Sequence, residues 1–177
     1  VRALIHTPCK KAFLAQVNNR VNFGSMTIML PGGVVEGTSP INALRGFIKD
    51  QVGITKDLSP ANCQFIQSRV YESNDYNGQK VKSRIDFYAI DSEGSIPFNM
   101  NPESVLSLSW MSLGDVERYL ELDNNWKIQA GAMDAINAVL DPEKSRTVDG
   151  IKEVSRQDGG TPPEPNMVYT PKALSYS

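Results

Sequence analysis

The chain has 177 residues, of which 40% are hydrophobic, and this length suits one compact core with a tail but is short for two cores. Eighteen Lys and Arg residues against 20 Asp and Glu residues give a formal net charge of −2, so there is no strong nucleic-acid signal and no overall attraction to anionic lipid. No apolar run approaches the roughly 20 residues that a membrane-spanning helix needs, which predicts no membrane association.

The first third of the chain is predicted to form short strands followed by one helix. "VRALIH" (1–6), "KAFLAQV" (11–17) and "SMTIML" (25–30) have the composition of strands, and "TPCK" forms a turn between the first two. From Pro40 the apolar period becomes helical, and Gly53 has the place of a C-terminal glycine. The side chains predicted to form the buried stripe of this helix are Ala43, Leu44, Ile48 and Val52.

The middle and last parts of the domain are predicted to add a hairpin, another strand and two helices. "CQFIQSRVYES" (63–73) and "KVKSRIDFYAID" (80–91) flank Asn77-Gly78, which is a strong turn signal. "VLSLSWM" (105–111) alternates as a strand, and Ser112 with Asp115 has the spacing of a capping box. "WKIQAGAMDAINAVL" (126–140) is predicted as the last helix. This order of elements predicts a mixed sheet covered on both faces.

The composition changes after residue 140, which divides the chain into a domain at 1–140 and a C-terminal extension at 141–177. "DGGTPPEPN" has no period, and segments of this kind are usually tails. The extension nevertheless contains apolar residues around Pro171, more than a solvated linker needs: Met167, Val168, Tyr169, Leu174 and Tyr176. We therefore expect an extended arm that docks on a protein partner, on a larger assembly or on the domain itself.

The two cysteines, Cys9 and Cys63, form no CxxC pair and do not belong to a small disulfide-rich scaffold. This usage favours the cytoplasm or another reducing compartment. His6 is the single histidine, so a histidine metal cluster is excluded and a Ser-His-Asp arrangement is disfavoured.

The stretch "LPGGVVEGTSPINALRGFIKDQVGI" (30–54) resembles the Nudix box of the nucleoside-diphosphate-linked hydrolases, whose pattern is G-x5-E-x7-R-E-U-x-E-E-x-G-U, with U an aliphatic residue. The spacing fits without a gap, because Gly32 takes the first glycine position and Ile48 and Ile54 take the aliphatic positions. The order of predicted elements over residues 1–140 is also similar to that of the family. The resemblance implies an α/β fold, a Nudix-like α/β/α sandwich with a mixed β-sheet.

In that family, as the resemblance implies, acidic side chains of the box hold Mg²⁺ or Mn²⁺ on a pyrophosphate, since hard cations prefer oxygen ligands. Carried over by position, the loop glutamate, the arginine and the three helix glutamates fall on Thr38, Gly46, Phe47, Asp50 and Gln51. Phe47, Asp50 and Gln51 share one helix face by their i, i+3, i+4 spacing. Asp50 alone keeps a carboxylate, so this box is degenerate.

A few candidates remain within the box. Asp50 and Glu36 are the candidate metal ligands, and Gly32, Gly33 and Glu36 are the candidate loop groups for a bound ligand. Glu36 has an ordinary surface salt bridge as its alternative role. If the loop is counted from the second glycine, Ser39 instead of Thr38 takes the loop glutamate position, and neither choice restores an acid.

Outside the box, an acid from a loop could serve as a base, as the family resemblance suggests. The candidates are Glu72, Asp75 and Glu103. Aromatic side chains could stack a base or ribose, although such residues in strands and helix starts more often belong to the core. These aromatic residues are Phe87, Tyr88, Trp110 and Trp126.

Two functions follow from these observations. The first is a Nudix-fold protein with an inactive box, which acts as a binding or scaffolding module, takes a nucleotide-like small ligand and needs no metal cofactor. The alternative is a metal-dependent hydrolase that cleaves a nucleoside diphosphate derivative, with Mg²⁺ or Mn²⁺ held by a non-standard site. No catalytic residue is assigned with either function.

Overall fold

The computed structural model describes residues 1–22, 25–54, 62–74, 77–94, 97, 107–122 and 125–143. Within these residues the elements are β1 (Arg2–His6), β2 (Phe13–Asn22), β3 (Ser25–Met29), α1 (Pro40–Val52), β4 (Cys63–Asn74), β5 (Lys80–Asp91), β6 (Ser107–Met111), α2 (Leu113–Leu122), β7 (Trp126–Ile128) and α3 (Ala132–Leu140). None of these helices is long and apolar enough to cross a membrane.

The seven strands of the described chain form one mixed sheet. Its order is β4-β5-β1-β2-β3-β7, and β6 pairs with β2 outside this path. β1 runs parallel to β5 and β3 runs parallel to β7, whereas the remaining pairs are antiparallel. Because β1 lies between β2 and β5, its side chains can be buried on both faces, and all five of its residues are buried.

Helices cover both faces of the sheet. On one face, Ala3 and Ile5 of β1 pack in a cluster with the apolar stripe of α1. On the other face, Leu4 packs in a second cluster with buried side chains of α2 and α3. This alternation follows from the two-residue period of a strand. The predicted α/β class and the α/β/α sandwich with a mixed sheet are confirmed.

The ends and the buried stripe of α1 agree with the pattern of the sequence. The side-chain oxygen of Ser39 accepts a hydrogen bond from the N–H of Asn42 at 3.3 Å, and Pro40 opens the helix. Gly53 ends it in the left-handed conformation, with φ 66°. The predicted stripe is buried at Leu44, Ile48 and Val52, while Ala43 is half-buried. Burying one such aliphatic side chain completely stabilises the folded state by about 1.5–3 kcal/mol relative to leaving it exposed.

The prediction of one continuous helix over residues 126–140 is wrong in its first part. Trp126–Ile128 forms the short strand β7, which pairs with β3 from Met26 to Ile28. Gly131 then takes a left-handed φ of 78°, and α3 begins at Ala132. The helical period of the apolar residues was therefore overridden by a strand partner that lies about a hundred residues earlier in the chain.

Candidate functional site

Of the three α1 residues that the alignment places at family glutamates, Gln51 points into the protein interior. Gln51 is fully buried, at 0% exposure. Its Oε1 accepts hydrogen bonds from Nε2 of Gln16 at 2.8 Å and from the N–H of Gly32 at 3.1 Å, and its Nε2 donates to the carbonyl oxygen of Gly32 at 2.7 Å. The Gln51 amide thus binds both main-chain groups of the first box glycine.

Both box glycines are packed tightly against other parts of the chain. A methyl group added at Gly32 would lie 2.0 Å from the carbonyl oxygen of Val1, and one at Gly33 would lie 2.3 Å from the ring of Phe47. The N–H of Gly33 donates to the carbonyl oxygen of Val1 at 3.1 Å. The N–H groups of the two candidate loop glycines are therefore taken by internal partners.

The two candidate metal ligands are exposed, unlike Gln51. Asp50 lies on the solvent side of α1, and Glu36 lies in the loop before the helix. In the ranges that the structure describes, no group of three or more His, Cys, Asp or Glu side chains could hold a metal ion. Without phosphate oxygens, one or two carboxylates leave Mg²⁺ mostly hydrated and weakly held, so the side chains present at the box do not form a resident site for this ion.

Phe47 is the residue that the predicted alignment places at the first helix glutamate of the family pattern. It is half-buried and packs against the core cluster beneath α1. The ring lies directly over Gly33, where any larger residue would meet it. At this position of the predicted alignment, the side chain therefore contributes apolar packing.

A second polar cluster, which was not predicted from the sequence, surrounds Leu30 on the opposite face of the sheet. Nη1 of Arg2 donates to the Leu30 carbonyl oxygen at 2.7 Å, and the Leu30 N–H donates to Oε1 of Gln129 at 3.2 Å. Arg2 is 1% exposed and Gln129 is 2% exposed. Burial lowers the pKa of Arg2 to about 9, and the guanidinium remains charged at neutral pH.

The turn that carries Gln129 is held by packing against β4 and β5. A methyl group at Gly131 would lie 2.2 Å from the Tyr71 hydroxyl and 3.1 Å from the ring of Phe87. One turn further along, the carboxylate of Asp134 pairs with the Arg69 guanidinium at 2.5 Å. These contacts fix the start of α3 on the sheet and so fix the position of Gln129.

Of the two side chains in this cluster, the sequence gives a signal for Arg2 and none for Gln129. Arg2 interrupts an otherwise apolar strand, and a buried strand with one charged residue is a detectable anomaly. Gln129 has no such signal, because it lies in a segment whose period predicts a helix. Their meeting at Leu30 depends on contacts that span 28 and 99 residues.

His6 and the candidate Glu72 form hydrogen bonds or ion pairs with residues outside both polar clusters. Buried His6 directs Nδ1 to the carbonyl oxygen of its neighbour Thr7 at 2.8 Å. Glu72 is exposed and pairs with Lys82 at 3.5 Å, while Asp75 and Glu103 lie outside the described residues.

The aromatic candidates are in packing contacts. Phe87 belongs to the core beside α3, and Trp110 packs against the cluster beneath α1. Trp126 stacks on Tyr119 with ring centroids 4.5 Å apart, and Tyr88 meets Phe65 edge-on at 5.6 Å. These contacts agree with the core interpretation of the aromatic residues.

Comparison with known proteins identifies the fold. A scan against protein-family models found no match, and a search of curated proteins found none. Among solved structures, the chain is similar to the Escherichia coli ORF135 protein, with 16% identity over 84% of this chain and 91% of that chain and a TM-score of 0.51. The NUDIX domain of Shewanella oneidensis NrtR, solved in complex with ADP ribose, matches with 17% identity over 70% and 82% of the two chains and a TM-score of 0.50. With its mixed sheet between helices and its box loop leading into α1, the chain therefore has the Nudix fold.

Proposed function

We propose that this Nudix-fold chain is a ligand-binding module without metal-dependent hydrolase activity, and that it works inside a larger protein or assembly. The observation that carries the proposal is the buried Gln51 amide. At a position where the family pattern has a glutamate, its Nε2 donates to the Gly32 carbonyl oxygen at 2.7 Å. A carboxylate and a carbonyl oxygen together can bind a cation, whereas an amide N–H and a carbonyl oxygen satisfy each other.

The surrounding charges support the same conclusion. Phe47 brings no charge to the box, and Asp50 and Glu36 are exposed side chains outside any described group of three metal ligands. Hydrolysis of a pyrophosphate by a Mg²⁺-bound water needs the metal held close to the phosphate. Within the described residues, Asp50 and Glu36 belong to no group of three metal ligands, so we propose that neither Mg²⁺ nor Mn²⁺ is a resident cofactor.

The ligand class is proposed from the fold neighbour that was solved with ADP ribose. A nucleoside diphosphate derivative is therefore the first small molecule to test for binding. The C-terminal segment 141–177 is proposed to attach the domain to its protein partner. Cys9 and Cys63 are free thiols, one exposed and one buried, which accords with the reducing compartment that we propose.

The experiment combines turnover with binding. Purified protein is incubated with Mg²⁺ or Mn²⁺ and a panel of nucleoside diphosphate derivatives that includes ADP-ribose, and phosphate release is measured after phosphatase treatment. Calorimetric titration with ADP-ribose is run in EDTA and in Mg²⁺. We expect the unaltered protein to release no more phosphate than Asp50→Asn does. We also expect its affinity for ADP-ribose to be the same in EDTA and in Mg²⁺, because no metal bridges the ligand to the box.

The matched control is Glu121→Gln, which removes an exposed carboxylate from α2, away from the box. Metal-dependent turnover that is lost in Asp50→Asn and kept in Glu121→Gln would overturn the proposal and support the hydrolase alternative. If ADP-ribose does not bind, the proposed ligand class is wrong, whereas the proposal that the box lacks hydrolase activity is unaffected.

A further inference from the structure

We propose that Arg2 and Gln129 form a buried oxyanion-binding site, which takes a carboxylate or phosphoryl group of a small ligand. This site lies on the face of β1 that Leu4 shares, away from the α1 stripe, because Arg2 and Leu4 are two residues apart in one strand. It does not depend on metal or on turnover at the box.

The first argument is the number of unpaired donors. Nη1 of Arg2 is taken by the Leu30 carbonyl oxygen, but Nε and Nη2 of the same guanidinium have no hydrogen-bond partner. Nε2 of Gln129 also has none, while its Oε1 is taken by the Leu30 N–H. Buried polar groups in folded proteins are almost always paired, so three such donors around one residue need an explanation.

The second argument is the shape of the unpaired edge. Nε–H and Nη2–H lie on one side of the planar guanidinium and point the same way, which is the fork that binds two oxygens of a carboxylate or phosphate. The amide of Gln129 adds a third donor from the other side chain that contacts Leu30. A group with several acceptor oxygens and no hydrogens to donate matches this set.

The third argument is charge. No carboxylate in the described part of the chain forms an ion pair with Arg2, and burial is the one cause that displaces its pKa. A buried charge without a counter-ion is strongly unfavourable, and an anion would remove that penalty. A water molecule would suit these three donors less well than an anion. Its oxygen could accept from them, but the donors offer no acceptor for the two hydrogens of the water.

The surrounding structure holds the two side chains in place. The main chain at Gly32 approaches Arg2 so closely that an added methyl group would lie 2.9 Å from Cδ of that side chain. On the other side, Gly131 packs on the ring of Phe87, which is the register partner of Arg2 in β5. A preorganised site of this kind loses little entropy when a ligand binds.

The test uses small anions as probes of the proposed site. The unfolding temperature of the full chain is measured in EDTA against sodium formate, sodium phosphate and, at matched ionic strength, sodium chloride. We expect a saturable rise with formate or phosphate and none with chloride. A rise with formate alone assigns a carboxylate, and a rise with phosphate alone assigns a phosphoryl group.

Two variants keep the contacts with Leu30 and change the unpaired donors. Arg2→Lys retains one donor for the carbonyl oxygen and loses the forked edge, so the midpoint of the anion response should move at least tenfold higher. Gln129→Glu retains the acceptor for the Leu30 N–H and places its own carboxylate beside Arg2. Its unfolding temperature should be higher without anion and should not rise further with it.

Arg45→Lys is the matched control, because Arg45 is exposed on α1 and should leave the response unchanged. The site is refuted if neither anion gives a saturable rise, or if Arg2→Lys responds as the unaltered chain does. Should Gln129→Glu fail to fold, Arg2→Lys and its control decide the question alone. Because no metal or substrate is present, this outcome is independent of hydrolysis and of ADP-ribose binding.

Discussion

At the residue scale, position 51 shows what a single nitrogen atom changes at one position of the box. Gln51 and glutamate have nearly the same shape, but the amide donates one hydrogen bond that a carboxylate cannot. In this chain that bond goes to the Gly32 carbonyl oxygen, and the whole side chain is buried. This one donor therefore ties position 51 to the loop glycine.

Restoring the carboxylate should destabilise the protein. In Gln51→Glu the donor to the Gly32 carbonyl oxygen is lost, and a buried charge lies against that oxygen. We expect the unfolding free energy to fall by about 1–3 kcal/mol or more, the usual cost of an unsatisfied buried polar group. Urea denaturation in EDTA at pH 7 measures it.

The control for this change is Gln64→Glu, which makes the same replacement at an exposed position of β4. It should alter the unfolding free energy by only a few tenths of 1 kcal/mol, as surface substitutions usually do. Equal stability of Gln51→Glu and the unaltered chain would show that the Gly32 contact contributes little.

Among the elements, α2 shows how a short sequence signal becomes a stable helix start. The predicted capping box is confirmed: the Ser112 N–H donates to Oδ2 of Asp115 at 2.9 Å, and the Asp115 N–H donates to Oγ of Ser112 at 3.1 Å. Two otherwise unpaired N–H groups are satisfied in this way. The main-chain N–H and then the hydroxyl of Ser112 lower the pKa of Asp115 below its ordinary value of 3.8.

Removing the hydroxyl should weaken α2. In Ser112→Ala the Asp115 N–H loses its acceptor, and we expect the unfolding free energy to fall by about 1 kcal/mol. Since the folded pKa of Asp115 is depressed, its contribution is present above the unfolded pKa and is lost as pH falls through the folded value. The loss of stability on acidification should therefore be smaller in the variant.

Denaturation curves at neutral and acidic pH measure the fall in unfolding free energy of Ser112→Ala and the loss of stability on acidification. Ser107→Ala is the control, because Ser107 is an exposed residue of β6. A decrease of the same size in Ser107→Ala would show that the effect does not come from the cap.

At the scale of the whole molecule, the described hydrophobic core is formed by residues of the predicted domain. Both hydrophobic clusters are built from residues 1–140, and α3 ends at Leu140. Residues 144–177 lie outside the described residues, so the division at 140 and the docking arm stay predictions.

The arm is expected to bind its partner through its apolar residues. Tyr169→Ala together with Leu174→Ala should weaken co-purification of the assembly and leave the thermal midpoint of the domain unchanged, because we expect these side chains to contact the partner and not the core of residues 1–140. Thr170→Ala with Ser175→Ala is the matched control. Sharp amide resonances with random-coil shifts for residues 160–177 within the purified assembly would contradict docking.

Features of the fold that depend on short stretches could be predicted from the sequence. The ends of α1 at Pro40 and Gly53, its buried stripe and the capping box before α2 were recognised because each depends on residues within about one or two helical turns. The box spacing likewise predicted the Nudix fold, and the replacement of the acids in the box stays a prediction from the alignment by position.

The tertiary structure decided the features that join distant parts of the chain. The sequence placed Gln51 on the metal-facing side of α1, and the structure turns its amide onto Gly32, 19 residues away. Pairing with β3 made Trp126–Ile128 a strand, and Leu30 joined Arg2 to Gln129 across 28 and 99 residues. Local patterns carry no information on such partners, because a hydrogen bond between distant segments exists only after the sheet has brought them together.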